Sequence, residues 1–468
     1  MNSEERLPRL VVAGTGGDAG KTLVTLGLAA AWRLQNLEVA VFKKGPDYID
    51  AAWLSLAAER PARNLDTYMM GAGGVEASFY SHSRGADVCL IEGNRGLFDG
   101  LTAQGTHSTA ELAKLLNAPV LLLLDVTKVT RTAAATVLGC KMMDPHVRIA
   151  GVILNRTAGL RHEKVVRDSI ESICGIPVLG AIPRLSESEL LPGRHLGLVT
   201  PREHPQPAGM RETAARLAQK YLNLPKIEEI AKNAPGFRII LPPEYRPRST
   251  DYSARIAFFD DAAFSFYYPD NLEALESAGA ELIPISSMQD QTLPQCDGLY
   301  IGGGFPETHA EEISSNKGLL RSVYAAAERG LPIYAECGGL IYLCRSLTWK
   351  GRKYPLAGVF PLDLVMETKP QGHGYMEVVV DEENPFFPLN TMIRGHEFHY
   401  TKIIDGDEQV QTIFRVNRGQ GCFNRRDGLT CRNVLASYLH LHALGVPIWA
   451  EKFVNLSKTI RRVGNKDG

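Results

Sequence analysis

The chain has 468 residues, with 51 Lys and Arg against 52 Asp and Glu, so its formal net charge is −1. This balance excludes the strongly basic surface on which nucleic-acid and polybasic membrane proteins depend, and 44% hydrophobic with 22% charged residues is ordinary for a packed globular protein. At roughly 150 residues per domain the length allows about three domains, and we predict two large ones.

Short apolar runs alternate with helix-like segments along the first half of the chain. The runs are continuous rather than alternating, which is typical of strands covered on both faces in a parallel sheet. We predict a first helix over 23–34 and strands over 10–13, 39–42, 88–91, 119–124, 149–154 and 176–179. The first half is therefore predicted to be an α/β domain.

A break in this alternation predicts the domain boundary. Residues 233–250 are dense in Pro and Arg and show no helical period. Apolar runs then resume at 255–259, 281–285, 298–301 and 331–334. We predict an ATP-binding domain over 1–235, a linker over 236–250 and a second α/β domain over 251–468.

A glycine-rich segment, GTGGDAGKT, separates the first predicted strand from the first predicted helix. Glycines let backbone N–H groups close on phosphate oxygens, and the helix N-terminus adds the positive end of its dipole. The usual pattern, G-x-x-x-x-G-K-[ST], has glycine at position 15, where this chain has Thr15. We predict a nucleotide-phosphate loop made of Gly14, Thr15, Gly16, Gly17, Gly20, Lys21 and Thr22.

Acidic residues follow several predicted strands of the same half. Asp47 and Asp50 follow strand 39–42, Glu92 follows strand 88–91 and Asp125 follows strand 119–124. Ligands of open α/β sheets collect at the carboxyl ends of strands, and Mg²⁺ prefers a few carboxylates together with phosphate oxygens. These acids are therefore candidates to complete a Mg²⁺ site beside the loop.

The second half carries a different chemistry, centred on Cys337 in the text YAECGGL. A cysteine on a tight turn between a strand and a helix has an exposed side chain and a helix N-terminus that favours the thiolate. Only about 3% of an unperturbed thiol is ionised at pH 7, so a base is needed, and His440 and His442 are the candidates. The backbone N–H groups of Gly303 and Gly304 are predicted to form an oxyanion hole.

The remaining features favour no metal centre and no membrane span. His396 and His399 have no second ligand pair, so we predict a polar segment facing the substrate rather than zinc. The eight cysteines include no C-x-x-C pair, which favours a reducing compartment. The N-terminal text carries acids, unlike a signal peptide, and no apolar run reaches 18 residues, so we expect a cytoplasmic protein.

Together these segments resemble the cobyrinic acid a,c-diamide synthase family over nearly the whole chain. GTGGDAGKT and KGPDYID are similar to its ATP-binding half, a P-loop NTPase domain that resembles dethiobiotin synthetase and shares its one-residue-longer loop. AFSFYYPDNL, GGGFPE, YAECGGLIYL, RGHEFHY and SYLHLH resemble its class I (triad) glutamine amidotransferase half. The resemblance implies two α/β domains of these two kinds.

The resemblance also implies roles for single residues. Cys337 would attack the carboxamide of glutamine, and His440 would raise the nucleophilicity of Cys337. Lys21 and Thr22 would bind ATP and Mg²⁺, with Asp47 and Glu92 as further metal ligands. Asp50 and Asp99 would fall on acidic positions of the family's synthetase site, the substrate site to which Arg95 is added below on other grounds.

Two positions depart from the family pattern. Triad amidotransferases often carry Glu two residues after the catalytic His, but His442 stands there, which leaves a full triad and the role of His442 open. The pair Asn94-Arg95 replaces the Val-Met of corrin-modifying members and resembles the branch that amidates sirohaem for dissimilatory sulfite reductase. Since guanidinium groups bind carboxylates in a bidentate manner, Arg95 and the segment with His396 and His399 are predicted to contact the macrocycle.

The predicted activity is glutamine- and ATP-dependent amidation, through an acyl phosphate, of peripheral acetate carboxylates of a modified tetrapyrrole. The tetrapyrrole is of sirohaem or sirohydrochlorin type or is cobyrinic acid. Two alternatives stay open: a cobyric acid synthase-like amidase of other corrin side chains, and a P-loop ATPase switch protein with a vestigial amidotransferase domain. The sequence does not determine the central metal, the number and order of carboxylates amidated, or whether the chain forms a homodimer.

Overall fold

The computed structural model describes residues 7–186, 193–194, 197–236, 252–406 and 410–464. The chain divides into two compact units: unit 1 is Met1–Thr67 with Gly71–Pro243, and unit 2 is Tyr68–Met70 with Glu244–Gly468. The predicted linker 236–250 lies outside the described residues apart from Gly236, so the predicted limits of the two domains stay predictions.

Unit 1 alternates strands and helices along most of its length. Its elements are β1 (Arg9–Gly14), α1 (Lys21–Arg33), β2 (Val39–Lys44), α2 (Tyr48–Ala58), β3 (Arg63–Leu65), α3 (Gly71–Ser83), β4 (Val88–Gly96), α4 (Thr109–Leu115), β5 (Val120–Asp125), α5 (Thr132–Met143), β6 (Ile149–Thr157), α6 (Leu160–Cys174), β7 (Val178–Pro183), β8 (Gly193–Arg194), β9 (Gly197–Leu198), α7 (Pro207–Tyr221) and α8 (Leu224–Lys232).

A seven-stranded sheet with the order β3-β2-β4-β1-β5-β6-β7 forms the centre of unit 1, and all its neighbouring strands run parallel. The six strands predicted in the first half all occur in this sheet, whereas the short β3 was not predicted. Because parallel strands point the same way, the segments that follow β1, β2 and β4 meet at one edge of the sheet. That edge holds the glycine-rich loop and the predicted acids.

Helix α1 is packed closely against α7. Its sequence, KTLVTLGLAAAWR, is rich in Ala and Leu, which favour helix, and most of its residues are buried. A Cβ atom added at Gly27 would lie 2.7 Å from the carbonyl oxygen of Ala214 on α7. The absence of a side chain at Gly27 therefore allows the two helices to approach, and this packing fixes the first turn of α1 beneath the loop.

Unit 2 begins as an α/β domain and continues mainly with strands. Its elements are β10 (Ala254–Phe259), α9 (Pro269–Ser277), β11 (Ala280–Ile285), β12 (Gly298–Ile301), a 3₁₀ turn (Pro306–His309), α10 (Ala310–Ser315), α11 (Lys317–Glu328), β13 (Ile333–Glu336), α12 (Gly338–Leu343), β14 (Cys344–Trp349), β15 (Arg352–Pro355), β16 (Phe360–Met366), β17 (Gly372–Val380), β18 (Met392–His399), β19 (Thr401–Asp405), β20 (Gln411–Arg418), β21 (Arg426–Cys431), β22 (Val434–Ser437), β23 (His440–Leu441) and α13 (Ile448–Gly464).

The main sheet of unit 2 is mixed, with the order β11-β10-β12-β13-β22-β21-β20-β17-β18-β23. The pairs from β11 to β22 are parallel and those from β22 to β23 are antiparallel. A second sheet has the order β15-β14-β16-β19. The four predicted strands of this half form the parallel part, and the antiparallel part was not predicted.

None of the helices in the described part of the chain is both long and apolar enough to cross a membrane.

Candidate functional site

The glycine-rich loop connects β1 to α1 as predicted. Gly20 precedes α1 with a φ of +95°, and a Cβ atom there would lie 2.5 Å from Nδ2 of Asn155, so the position requires glycine on two grounds. Added Cβ atoms at Gly16 and Gly17 would meet nothing within 4 Å, which leaves the loop open on that side. Nζ of Lys21 donates to the carbonyl oxygen of Gly16 at 2.8 Å, so the lysine already lies over the loop.

A buried charge cluster lies next to this loop. Oγ1 of Thr22 donates to Oε1 of Glu92 at 2.8 Å, and the same oxygen accepts from Nζ of Lys43 at 2.7 Å. Lys43 also pairs with Asp50 at 2.5 Å. Sequence analysis missed Lys43, which immediately precedes the text KGPDYID. The structure thus brings together three predicted residues, Thr22, Glu92 and Asp50, through one unpredicted lysine.

Burial shifts the pKa of three charged groups in this region. It raises the pKa of Glu92 to about 7, against the opposing effect of Lys43, and it raises the pKa of Asp47 to about 6 with a further contribution from Asp50. Burial and the neighbouring Lys43 lower the pKa of Lys21. A ligand with phosphate groups and a bound cation would favour the ionised form of all three groups. The phosphates would stabilise the charged Lys21, and the cation would stabilise the carboxylates of Glu92 and Asp47.

The residues present fit a Mg²⁺ ion that is shared with phosphate. Oε2 of Glu92 is buried and has no hydrogen-bond partner among the residues that the structure describes, and the hydroxyl of Thr22 adds a second hard oxygen beside it. In the described residues no group of three or more His, Cys, Asp or Glu side chains is arranged to hold a metal alone. That matches Mg²⁺ in phosphate-transfer sites, where substrate oxygens and water complete the shell.

Other predicted residues of unit 1 have structural contacts of their own. Oδ1 of Asp47 accepts from the backbone N–H of Asp50 at 2.8 Å and so caps the N-terminus of α2. Oδ2 of Asp99 accepts from the backbone N–H of Gly96 at 2.8 Å, and Arg95, which precedes Gly96, is exposed with a φ of +49°. The carboxylate of Asp125 is occupied by Thr127 and by an ion pair with Arg156 at 2.5 Å.

Cys337 lies on the predicted turn between β13 and α12. Its φ of +47° and ψ of −95° are strained for a residue with a side chain, as expected for a nucleophile held at a strand-to-helix turn. Its backbone N–H donates to the carbonyl oxygen of Ser437 at 2.7 Å, which ties the turn to the end of β22. Sγ lies 3.7 Å from the carbonyl oxygen of Phe398 on β18.

The surroundings of Cys337 favour its neutral thiol. Burial raises its pKa, and the carboxylates of Glu307 and Glu336 add to that rise. The backbone N–H of Gly338, at the N-terminus of the six-residue α12, acts in favour of the thiolate but has a smaller effect than burial. A proton acceptor has to act when substrate binds.

His440 lies beside the glycine segment that follows β12. A Cβ atom added at Gly303 would lie 2.5 Å from Cε1 of His440, and one added at Gly338 would lie 3.1 Å from the backbone nitrogen of Gly304. Cys337, the glycine segment and His440 are thus brought together in one place. The N–H of Gly303 already donates to the carbonyl oxygen of Phe266 at 3.3 Å, which leaves Gly304 as the better of the two predicted oxyanion donors.

The other histidines take different places from those predicted. His396 and His399 are buried in unit 2, where the ring of His396 stacks on His440 with centroids 4.7 Å apart and that of His399 stacks on Tyr438 at 3.6 Å. Their predicted role in facing the macrocycle is therefore not supported by their position. His442 is fully buried and packs against Tyr268 at 4.9 Å, with Nε2 3.9 Å from Asp270.

Two buried acids of unit 2 escaped sequence analysis. Asp427 accepts from the hydroxyl of Ser437 and from the backbone N–H groups of Tyr438 and Leu439, so it fixes the segment that leads to His440. Glu336 immediately precedes Cys337 and lies next to His440. One sequence feature could have pointed to Glu336: it is a charged residue at the end of a predicted buried strand. Such a residue is rarely fully buried without a partner.

Comparison with known proteins agrees with this two-part chemistry. A CobQ/CobB/MinD/ParA nucleotide binding domain matches residues 10–199, and a CobB/CobQ-like glutamine amidotransferase domain matches residues 255–447. Cobyrinate a,c-diamide synthase of Magnetococcus marinus is 44% identical over 452 residues, covering 95% of this chain and 96% of that protein. The chain belongs to the cobyrinate a,c-diamide synthase family.

Further members of the family are similar over the same extent. The cobyrinate a,c-diamide synthase of Archaeoglobus fulgidus is 40% identical over 450 residues, covering 96% of this chain and 97% of that protein. That of Dehalococcoides mccartyi is 39% identical over 458 residues, covering 96% and 98%. The predicted family and the predicted pair of α/β domains are confirmed. The second domain also contains antiparallel strands that were not predicted.

Membership in the cobyrinate a,c-diamide synthase family also fixes the class of enzyme. The chain is an ATP-dependent carbon–nitrogen ligase that takes its nitrogen from glutamine, since the nucleotide binding domain and the glutamine amidotransferase domain occur together in the order of the relatives. A switch protein with a vestigial amidotransferase domain is therefore not supported.

Proposed function

We propose that the protein amidates ring acetate carboxylates of a tetrapyrrole, with cobyrinate as the first candidate, by joining a glutaminase reaction in unit 2 to a carboxylate-activating reaction in unit 1. The observation that carries the proposal is the strained turn at Cys337 beside the Gly303–His440 contact. Such a turn is unfavourable by about 1–3 kcal/mol and is retained where a nucleophile has to be presented.

In unit 2, Sγ of Cys337 attacks the carboxamide carbon of glutamine while His440 accepts the thiol proton. The negative oxygen that forms is stabilised by backbone N–H groups, of which Gly304 lies nearest the cysteine turn. His440 then returns the proton to the leaving nitrogen, the C–N bond breaks, and ammonia and a Cys337 thioester result. Water hydrolyses the thioester, which releases glutamate and restores the thiol.

In unit 1, a carboxylate oxygen of the tetrapyrrole attacks the γ-phosphorus of ATP, and ADP leaves. Lys21 and the backbone of the glycine-rich loop hold the phosphates and neutralise charge as it moves to the leaving oxygen. Ammonia then attacks the acyl carbon, and phosphate leaves with the electron pair of the C–O bond. ATP is required because a carboxylate is a poor electrophile.

Mg²⁺ fits this proposal as a bound ion at Thr22 and Glu92, where it would neutralise phosphate charge during transfer. The buried pair of Lys43 with Glu92 and Asp50 supports the same site, because it holds Glu92 in place before the ion arrives. Asp47, which the sequence also offered as a ligand, caps α2 and stays a candidate.

The choice of macrocycle rests on two observations of different kinds. The names of the relatives support cobyrinate. The pair Asn94-Arg95 supports a second candidate, sirohaem or sirohydrochlorin, because it places an exposed cation three residues after the buried Glu92, a proposed Mg²⁺ ligand. The names of the relatives do not favour the cobyric acid synthase-like alternative. The homodimer and the cytoplasmic location stay predictions.

One assay tests the proposal. The purified protein is incubated with ATP, Mg²⁺, glutamine and cobyrinic acid, sirohydrochlorin or sirohaem in parallel, and the products are analysed by mass spectrometry. We expect glutamate release together with a mass loss of about 1 Da for each acetate converted to an amide. Glutaminase activity with no amidated product from any of the three macrocycles would contradict the proposed substrate class.

A further inference from the structure

Glu336 is a buried carboxylate at the centre of the amidotransferase site. It is the last residue of β13 and is 1% exposed. Its Oε2 lies 3.4 Å from Nδ1 of His440, whose side chain is 3% exposed. A carboxylate and an imidazole that are both shielded from water at this distance interact far more strongly than the same pair at a surface.

Little else in the surroundings accounts for a charge at this position. In the described part of the chain neither carboxylate oxygen of Glu336 makes a hydrogen bond of good geometry in the resting structure. The nearby donors are Nδ1 of His440 and the hydroxyl of Tyr334, and the pKa values of the buried Tyr267, Tyr300 and Tyr334 are raised first by burial and also by the Glu336 charge. A buried acid with so few donors is unfavourable unless a cation forms beside it. His440 becomes that cation when it accepts the proton of Cys337.

The two nitrogens of His440 are distinguished by this contact. Nδ1 faces Glu336, whereas Nε2 lies on the side of the glycine segment, 3.4 Å from a Cβ atom built at Gly303. A carboxylate that accepts Nδ1–H leaves the lone pair on Nε2, which is the tautomer a base needs when it faces the nucleophile. The antiparallel pairing of His440 with His396, and the stacking of their rings, fixes the plane of the imidazole.

His442 does not supply this contact. It occupies the position at which triad amidotransferases often carry Glu, but its ring packs against Tyr268 and its Nε2 lies near Asp270. The other charged groups that act on Cys337, namely Glu307 and Asp427, raise the pKa of the thiol together with Glu336. Asp427 is bound by Ser437, Tyr438 and Leu439.

We propose that Glu336 is the positioning carboxylate of the amidotransferase site: it holds His440 with Nε2 as base and stabilises the imidazolium, in place of the acid missing at position 442. This inference rests on the proposed glutaminase role of Cys337 and His440. Glu336 acts through His440 and does not touch glutamine. The triad is thus completed from the residue before the nucleophile instead of from the segment after the histidine.

The test compares Glu336→Gln, Glu336→Asp and the parent protein. We expect Glu336→Gln to lower kcat for glutamine hydrolysis by about 10²- to 10⁴-fold, the range seen when the orienting acid of a triad is neutralised. KM for glutamine should stay within about threefold, and Glu336→Asp should recover at least about tenfold of the lost kcat. Ammonia-dependent amidation should be unchanged in both variants, because unit 1 does not use this site.

Asp363→Asn is the matched control. Asp363 is a second buried acid of unit 2 and is bound by Arg345, Ser346 and Lys353, which hold its pKa well below the usual range. We expect this variant to lower the melting temperature without changing kcat for glutamine hydrolysis. Equal losses of kcat in Glu336→Gln and Asp363→Asn would assign Glu336 to the fold and overturn the proposal.

A second measurement needs no substitution at Glu336. In the parent protein with ¹⁵N-labelled histidine, the NMR signals that disappear in His440→Gln report the tautomer of His440. We expect a proton on Nδ1 and a free lone pair on Nε2. The opposite tautomer, or a kcat in Glu336→Gln within threefold of the parent, would overturn the proposal. Absence of glutaminase activity in the parent would instead contradict the proposed function.

Discussion

The two candidate sites of this chain treat buried charge in opposite ways. Beside the glycine-rich loop of unit 1, Lys43 is buried between the carboxylates of Glu92 and Asp50, so opposite charges compensate one another before any ligand arrives. At Cys337 in unit 2, burial keeps the thiol neutral, and it lowers the pKa of His396 well below its usual value. The first site holds an ion pair at rest, whereas the reacting groups of the second, Cys337 and His440, become charged during the reaction.

This difference follows from what each reaction needs. Phosphoryl transfer moves charge that ATP already carries, so the protein has to supply fixed opposite charges in advance. Attack on glutamine creates a thiolate and an imidazolium from two neutral groups, and a buried neutral pair is protected from side reactions until substrate is bound. Each of the following predictions tests one side of this comparison.

The largest effect is expected when the nucleophile is removed. Cys337→Ala should lower glutamine-dependent amidation by about 10⁴-fold or more, since no thioester can form. Amidation with high ammonium at alkaline pH should remain within about twofold of the parent, because the charged site of unit 1 is intact. Rates with both nitrogen sources are measured by mass spectrometry. Loss of the ammonia-dependent rate as well would show that the two sites are not chemically separate.

Removal of a charge from unit 1 should affect both nitrogen sources. Lys21→Ala takes away the cation that lies over the loop, and we expect amidation to fall by about 10²- to 10³-fold with glutamine and with ammonia alike. The rate at which a glutamine-analogue affinity label modifies Cys337 serves as the control and should be unchanged. Ammonia-dependent synthesis at the parent rate in Lys21→Ala would exclude the loop from ATP binding.

The raised pKa of Glu92 predicts how stability depends on pH. Its folded pKa of about 7 lies above the usual value for a glutamate, so the fold favours the protonated acid. Its contribution to stability is therefore full below about pH 4.5 and is lost as the pH rises to about 7. Glu92→Gln stays neutral throughout, so the free energy of unfolding of the parent should fall relative to the variant by about 1–3 kcal/mol between pH 4.5 and 7.5.

Urea denaturation at several pH values measures this difference. Asp168→Asn is the control, because Asp168 forms an exposed ion pair with Lys164, and its curve should run parallel to that of the parent. A difference between the parent and Glu92→Gln that stays constant from pH 4.5 to 7.5 would mean that Glu92 is ionised at all these values.

The sequence predicted the part of each site that depends on neighbours along the chain. The glycine-rich loop and the turn at Cys337 are each encoded in fewer than ten residues between a strand and a helix, and both occur where predicted. Lys43 and Glu336 were missed because their partners are distant: Glu92 is 49 residues from Lys43, and His440 comes from another strand. Only the parallel sheet of unit 1 and the mixed sheet of unit 2 bring these groups together.

The antiparallel half of unit 2 was missed for a related reason. Its strands, such as β17 and β18, are half-buried and include charged residues, so they lack the continuous apolar runs that identified the parallel strands. The buried positions of His396 and His399 were not predicted either. Their places beside His440 and Tyr438 depend on the pairing of β18 with β17 and β23, which no local pattern specifies.

The smallest effect concerns the choice of substrate in unit 1. Arg95 is exposed in β4, and the carboxylate of Asp99 accepts from the backbone N–H of Gly96. We predict that the exposed guanidinium group of Arg95 binds a carboxylate of the macrocycle. A charged hydrogen bond contributes about 1.5–3 kcal/mol, which corresponds to about 10- to 100-fold in relative affinity.

We expect Arg95→Met to lower the ratio of kcat/KM for sirohaem to kcat/KM for cobyrinic acid by about 10- to 100-fold. Both values are measured with ammonia as the nitrogen source, so that the glutaminase reaction of unit 2 plays no part. Arg156→Met is the matched control, because Arg156 is also an exposed arginine with a positive φ in a strand of the same sheet, and its ratio should not change. An unchanged ratio in Arg95→Met would show that Arg95 contacts only ATP or solvent. The choice between macrocycles would then lie in residues other than the pair Asn94-Arg95.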